Sequence, residues 1–212
     1  MSLKNLKYEI ELIVVDDCST DNTRDILSKS YSKSDKIKII YNLKNMGKGF
    51  CVRKGIEYSS GNIILIQDAD LEYNPEEYNL LLKPIIADIA DVVYGSRFIE
   101  KQSSRTSYFW HSVANKFLTF LSNLFSNLKL TDMETCYKLF NTKMIQSITL
   151  TEKRFGFEPE ITAKISRIKG IRVHEVGISY NSRPYDEGKK IGWKDGVRAI
   201  YCILKYGLFR MN

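Results

Sequence analysis

Apolar and polar positions fall into alternating blocks along the first half of the chain. Tyr8-Glu-Ile-Glu-Leu-Ile-Val-Val15 opens with alternation and closes in an apolar, β-branched run, the pattern of a buried strand. It stops at Asp16-Asp17-Cys18-Ser19-Thr20-Asp21-Asn22-Thr23, a polar turn into a helix carrying Ile26 and Leu27. Ser19, Thr20 or Asp21 can cap that helix, because a side-chain oxygen there satisfies a backbone N–H with no partner of its own. Lys36–Ile40 predicts a second strand, and Asn45-Met46-Gly47-Lys48-Gly49 a loop into a helix. Asn62–Ile66 predicts a third strand, ending at Gln67-Asp68-Ala69-Asp70. Tyr73–Glu77 opens a helix, with Pro75 near its first turn. Asp91–Tyr94 predicts a fourth strand, ending at Gly95-Ser96-Arg97. Strands alternating with helices predict an α/β fold, with a mostly parallel sheet flanked by helices.

The second half has longer periods. His111–Leu130 predicts an amphipathic helix rich in Phe and Leu, and Thr131–Phe140 a polar-to-apolar return into a strand. Pro159–Ile168 predicts a helix, Val173–Tyr180 a strand, Arg183–Gly192 a charged loop, and Trp193–Phe209 a C-terminal amphipathic helix. No repeat or boundary interrupts this order, so one domain over residues 1–212 is expected. Taken alone, the Phe117–Leu130 and Ile200–Phe209 stripes read as core faces. Lys116, Lys129, Arg198, Lys205 and Arg210 beside them keep a membrane-surface role open.

Composition narrows the classes. With 43% hydrophobic and 27% charged residues the chain is globular, not disordered. No apolar run is long enough to span a bilayer, and Met1-Ser2-Leu3-Lys4 leads into charge rather than a signal peptide. Cys18, Cys51, Cys136 and Cys202 are scattered, which argues against a zinc site and for reduced thiols in the cytosol. A net charge of +7 favours anionic partners: nucleic acid, an acidic membrane or a phosphorylated substrate. Nucleic acid fits poorly, because acids at the strand ends would repel its phosphates without metal.

Three polar clusters stand where α/β sheets gather their chemistry, beyond the carboxyl ends of strands. Asp68 and Asp70, with Glu72 two residues on, can hold Mg2+ or Mn2+ through hard oxygen ligands. A solvated, helix-capping turn is the plainer reading of the same residues. Asp16 and Asp17 can accept from a base or a ribose hydroxyl, or simply cap the next helix. The Gly47-Lys48-Gly49 loop is too short for a P-loop and, alone, reads as a turn with a surface lysine. Arg97 suits phosphate oxygens, and His111 and Asn115 share one helix face with which they could hold a phosphate. Arg183, Lys189 and Lys190 lie in a loop that could close over a diphosphate, or remain solvated. His174 sits in a strand pattern and is given no function.

Together these segments resemble the family 2 glycosyltransferases of GT-A, Rossmann-like fold, nearest the dolichol-phosphate mannosyltransferase-like branch of polyprenyl-phosphate sugar transferases. Val14–Thr23, Asn45–Gly49, Gln67–Tyr73, Gly95–Arg97, Thr131–Phe140 and Phe155–Glu160 carry the likeness. The resemblance implies that Asp16, Asp17, Lys48 and Asp68 contact the nucleotide-sugar donor, with Arg183, Lys189 and Lys190 closing on its diphosphate. It implies a metal at Asp68, Asp70 and Glu72, and an acceptor phosphate at Arg97, His111 and Asn115. Asp132 heads the acceptor side, and Asp70, Arg97 and Asp132 form the catalytic set. The resemblance also implies a pH-dependent charge at His111, a position that can be Arg in related mannosyltransferases.

The implied reaction is the metal-dependent, inverting transfer of a hexose from a GDP-mannose- or UDP-glucose-type donor to a polyprenyl or dolichyl phosphate. Binding at the cytoplasmic membrane face is implied too. Two features depart from the pattern. Cys18 and Cys136 stand where the family usually has Gly, so a backbone angle suited to Gly is expected there. The usual opening strand with a Pro-x-Tyr-Asn-Glu-like motif is not found before Tyr8, so the chain is expected to start one βα unit late. That leaves a sheet edge open to dimerisation, and keeps two other readings alive: an inactive binding or oligomerising module, and a nucleotidyltransferase of similar fold.

Overall fold

The chain follows the order β1 (Leu12–Asp16), α1 (Thr23–Tyr31), β2 (Ile37–Tyr41), α2 (Lys48–Tyr58), β3 (Ile63–Ile66), α3 (Tyr78–Ile86), β4 (Val92–Ser96) and α4 (Phe109–Ser126). It continues through β5 (Lys138–Asn141), α5 (Thr142–Gln146), α6 (Phe157–Ile165), β6 (Val173–Gly177) and α7 (Trp193–Leu208). The structure is a computed structural model that describes residues 8–31, 34–99, 109–182 and 192–208.

β1 pairs β2 in parallel, with Leu12 opposite Ile37 and Asp16 opposite Tyr41. The other four strands form one sheet in the order β3-β5-β4-β6. β4 and β6 are parallel, while β5 runs against both β3 and β4. β3, β4 and β6 therefore point one way, and their carboxyl ends share an edge. Among the described residues, β1 and β3 each pair on one side only. The parallel-rich α/β architecture matches the alternation of the sequence, with β5 as its reversal. After α4 the chain travels back across the carboxyl edge before entering β5, so β5 starts from that edge. Residues 131–137, expected to lead straight into a strand, are instead this crossing loop, and only Lys138–Asn141 is extended.

The core lies where β4 and β5 meet the helices. Val92, Val93, Tyr94, Leu139 and Phe140 are fully buried, as are Leu81 of α3 and Ile161 and Ile165 of α6. Burying each such side chain contributes roughly 1.5–3 kcal/mol. These apolar strands fix the sheet rigidly, and the polar residues just past their ends inherit that rigidity.

The stripe on α4 is only partly core. Leu118, Leu121 and Phe125 pack inward, and α7 crosses so closely that a Cβ on Gly207 would stand 2.7 Å from that of Phe125. The outer face, Trp110, Val113, Phe117, Phe120 and Leu124, is exposed, as are Trp193, Val197, Tyr201 and Leu208 of α7. Helical periodicity marks a stripe as apolar but does not say what covers it.

Candidate active site

The carboxyl ends of β1, β3 and β4 bring the polar clusters to one edge. Asp16, the last residue of β1, is buried and accepts from Arg24 Nε at 2.7 Å and Ser19 N at 3.3 Å. Burial pushes its carboxyl up, but Ser19 and Arg24 outweigh this and hold it below the ordinary value. Asp17 Oδ1 accepts from Met46 N at 2.8 Å and Asn42 Nδ2 at 2.9 Å, and Oδ2 from Gly47 N at 2.7 Å. Those donors likewise hold Asp17 low against burial. Asp17 thus fixes the 45–49 loop, which forms the wall beside Asp68.

Gly47 has φ +91°, and a Cβ there would meet Lys153 O at 2.5 Å, so only glycine fits this wall. Cys18 has φ 62°, the left-handed region expected at a Gly-like position, whereas Cys136 does not. Cys136 is buried, and burial pushes its thiol well up, so it acts as a packing residue.

Gly47 ends the loop at the start of α2 and delivers Lys48 into the site. Lys48 Nζ lies 2.9 Å from Asp68 Oδ2 and 2.9 Å from Glu158 Oε1 at the start of α6. Burial disfavours its charge, but Glu158 and Asp68 override that and hold the ammonium well above the ordinary lysine value. Lys48 is therefore no surface lysine. Asp70 Oδ1 accepts from Glu72 N at 3.2 Å, and Glu72 Oε2 from Tyr180 OH at 2.8 Å. Tyr180 follows β6 and bridges to Tyr73, so it ties the Asp68–Glu72 turn to the sheet. Asp68, Asp70 and Glu72 supply only carboxylate oxygens, a donor set that suits a hard divalent cation. Among the described residues, no group of three His, Cys, Asp or Glu side chains converges as a complete metal cage. Mg2+ and Mn2+ commonly take one or two carboxylates, with substrate phosphate and water completing the shell, so the residues fit such an ion.

The second half of the site forms past β4. Arg97 forks onto Asp132, Nε to Oδ2 at 2.6 Å and Nη2 to Oδ1 at 2.7 Å, and its backbone N adds 3.1 Å to Oδ2. Asp132 is fully buried, and it holds the guanidinium well above its ordinary value despite burial. Asn115 Nδ2 also donates to Asp132 Oδ1, at 3.3 Å, and Thr119 braces Asn115 from one turn along α4. His111 lies one turn before Asn115 and is half-buried. Arg183, Lys189 and Lys190 lie outside the described residues.

Several residues near the site had no local signal. Asn42, past β2, joins Asp17 to Lys54 Nζ. Glu175 of β6 accepts from the backbone N–H groups of Thr131 and Asp132 and seats the crossing loop. Glu134 and Glu158 are carboxyls from two elements that converge here. Both fall in segments that carry the family likeness, Thr131–Phe140 and Phe155–Glu160, but the sequence gives neither a role.

Comparison with known proteins agrees with this layout. The family model described as "Glycosyl transferase family 2" matches residues 1–149. An undecaprenyl-phosphate mannosyltransferase from Micrococcus luteus is 26% identical over 97% of this chain and 86% of its own length. A dolichyl-phosphate beta-glucosyltransferase from Trichomonas vaginalis is 28% identical over 84% of this chain and 55% of its own. Among solved structures, glucosyl-3-phosphoglycerate synthase from Mycobacterium tuberculosis, with Mn2+, UDP and glucosyl-3-phosphoglycerate, superposes with TM-score 0.69. It covers 93% of this chain and 68% of that one, at 17% identity, and so speaks to the fold alone. The acid-tipped strands, the site at their carboxyl ends and the extent of the family match lead to one assignment: the chain is a glycosyltransferase of family 2, with the GT-A fold.

Proposed function

We propose that the chain, as one glycosyltransferase domain, moves a hexose from a nucleoside-diphosphate sugar to a polyprenyl phosphate with inversion at the anomeric carbon. The observation that carries this is the pairing of two halves on one sheet edge. One holds Lys48, Asp68 and Asp70; the other holds Arg97, Asn115 and Asp132. The first suits a diphosphate with its cation and the second an acceptor phosphate. The two relatives are by name a mannosyltransferase and a glucosyltransferase of polyprenyl-type lipid phosphates, which supports this reading.

In this reading, an acceptor phosphate oxygen attacks the anomeric carbon as the bond to the donor's β-phosphate oxygen breaks, and that oxygen leaves with the electron pair. A phosphate monoester is anionic near neutral pH, so no strong base is needed. Arg97, oriented by Asp132, aims the attacking phosphate together with Asn115 and His111. Lys48 places positive charge where the leaving diphosphate gains negative charge. A divalent ion held by Asp68 and Asp70, with Glu72 behind them, would supply the rest of that charge neutralisation. Asp16 and Asp17 shape the nucleoside end, and the family resemblance assigns Arg183, Lys189 and Lys190 to the diphosphate.

Calorimetric titration with UDP and GDP, each with and without Mn2+, tests the donor half. Metal-dependent binding of one nucleotide is expected, and it names the base. No binding of either by the folded chain overturns the reading.

The acceptor brings the enzyme to a membrane. No helix among the described residues is long and apolar enough to cross one. The exposed faces of α4 and α7, rimmed by Lys116, Lys194 and Arg198, suit peripheral contact with an anionic leaflet on the cytoplasmic side. In flotation, the chain is expected to rise with phosphatidylserine-containing vesicles and to be released by Phe117→Glu with Phe120→Glu. Equal flotation of the two proteins, or none by either, counts against this contact.

A further inference from the structure

Two carboxylate oxygens in the site lack a hydrogen-bond partner. Glu158 is 3% exposed; its Oε1 binds Lys48 at 2.9 Å, while its Oε2 is sealed from solvent and unbonded. Glu134, on the crossing loop two residues past Asp132, has an Oε1 in the same condition. The two groups come from different elements and feel one another: after burial itself, Glu158 is the largest influence pushing Glu134 up, to about 8. Lys138, Arg97 and Asp132 act on Glu134 as well. Glu158 thus borders the Lys48–Asp68 half through its ion pair, and Glu134 lies on the loop that carries Asp132 of the other half.

Buried acceptors without partners are rare, because each forfeits the hydrogen bonds it had in water. Two together, in a site that takes a ligand, point to a ligand rich in donors. Phosphate is excluded, since it would meet carboxylates with its own negative charge. A sugar ring is the opposite case, with several hydroxyl donors on one rigid face. We infer that Glu134 and Glu158 form the hydroxyl-binding wall for the transferred hexose, between donor diphosphate and acceptor phosphate. This rests on the donor reading above and adds to it the residues that select the sugar. Lys48 links the two functions, because one ammonium orients both Asp68 and Glu158. Glu134 near pH 7 holds its proton for much of the time and so can donate to a hydroxyl oxygen as well as accept.

The test compares Glu134→Ala and Glu134→Gln with the unsubstituted chain. Each is titrated with the nucleoside diphosphate it binds and with the matching nucleotide hexose, in Mn2+. A charged or strongly polar hydrogen bond to a substrate hydroxyl is worth about 10- to 100-fold in affinity. Glu134→Ala is expected to lose about that factor for the nucleotide hexose while binding the nucleoside diphosphate unchanged. Glu134→Gln, which keeps an acceptor and a donor, is expected to recover part of the loss. Equal weakening of both ligands assigns Glu134 a structural role and overturns the inference. Unchanged binding of both also overturns it, leaving an ordered water as the partner of these oxygens. If the unsubstituted chain binds no nucleoside diphosphate, the donor reading itself falls, and this assignment with it.

Discussion

Asp132→Ala is expected to lower the melting temperature by roughly 6–20 °C and to abolish sugar transfer. Asp132 is fully buried and receives the Arg97 fork at 2.6 and 2.7 Å, with Arg97 only 16% exposed in its side chain. Removing the carboxylate leaves a guanidinium in the protein interior with its counter-charge gone. Breaking one partner of a buried pair costs about 3–5 kcal/mol, mostly from the stranded charge. For a domain of this size each kcal/mol shifts the midpoint by about 2–4 °C. Asn115 and the Arg97 backbone N–H lose their acceptor too.

A second variant separates stability from function. Arg97→Met with Asp132→Leu removes both charges and keeps apolar volume, so it is expected to regain most of the melting temperature. It should not regain transfer, because the acceptor phosphate has lost the Arg97 guanidinium. Thermal denaturation and a lipid-phosphate transfer assay on both variants make the check. Should the double variant transfer sugar at the normal rate, the acceptor role of Arg97 is gone.

Asp70→Ala is the second large effect. Transfer is expected to fall by about 100- to 1,000-fold or more, with the fold intact, as when one preorganised charge-stabilising group is removed. Asp70 is half-exposed and accepts from the nearby Glu72 N–H at 3.2 Å, so the fold loses little. Asp68 is the less clean target, because its loss also takes a partner from Lys48. The Asp70→Ala enzyme is expected to need more Mn2+ to reach its reduced maximum, and chelation should silence the unsubstituted enzyme. Full metal-dependent transfer by a folded Asp70→Ala chain would falsify the assignment of this carboxylate.

The strands ending at Asp16, Asp68 and Arg97 were legible because a short β-branched run followed by a polar cluster is a local pattern. The need for a Gly-like angle at Cys18 was legible too, from the position of one residue in a motif, and φ 62° matches it. At Cys136, by contrast, the buried crossing loop holds ordinary backbone angles, so no Gly-like angle is needed there.

Local patterns along the chain carry the element order, the placement of acids and Arg97 at strand ends, and the family. Each depends on residues a few positions apart, where period and turn chemistry act. The three-dimensional packing brings Lys48 to Glu158 across the chain, locks Arg97 onto Asp132, and leaves Glu134 and Glu158 each with an unbonded oxygen. It alone turned β5 against its neighbours and left one face of α4 uncovered. The reason is physical. A side chain's partner depends on which strands lie side by side and from which end each is entered. That order is set by the packing of the whole sheet, which no local pattern of apolar and polar residues encodes.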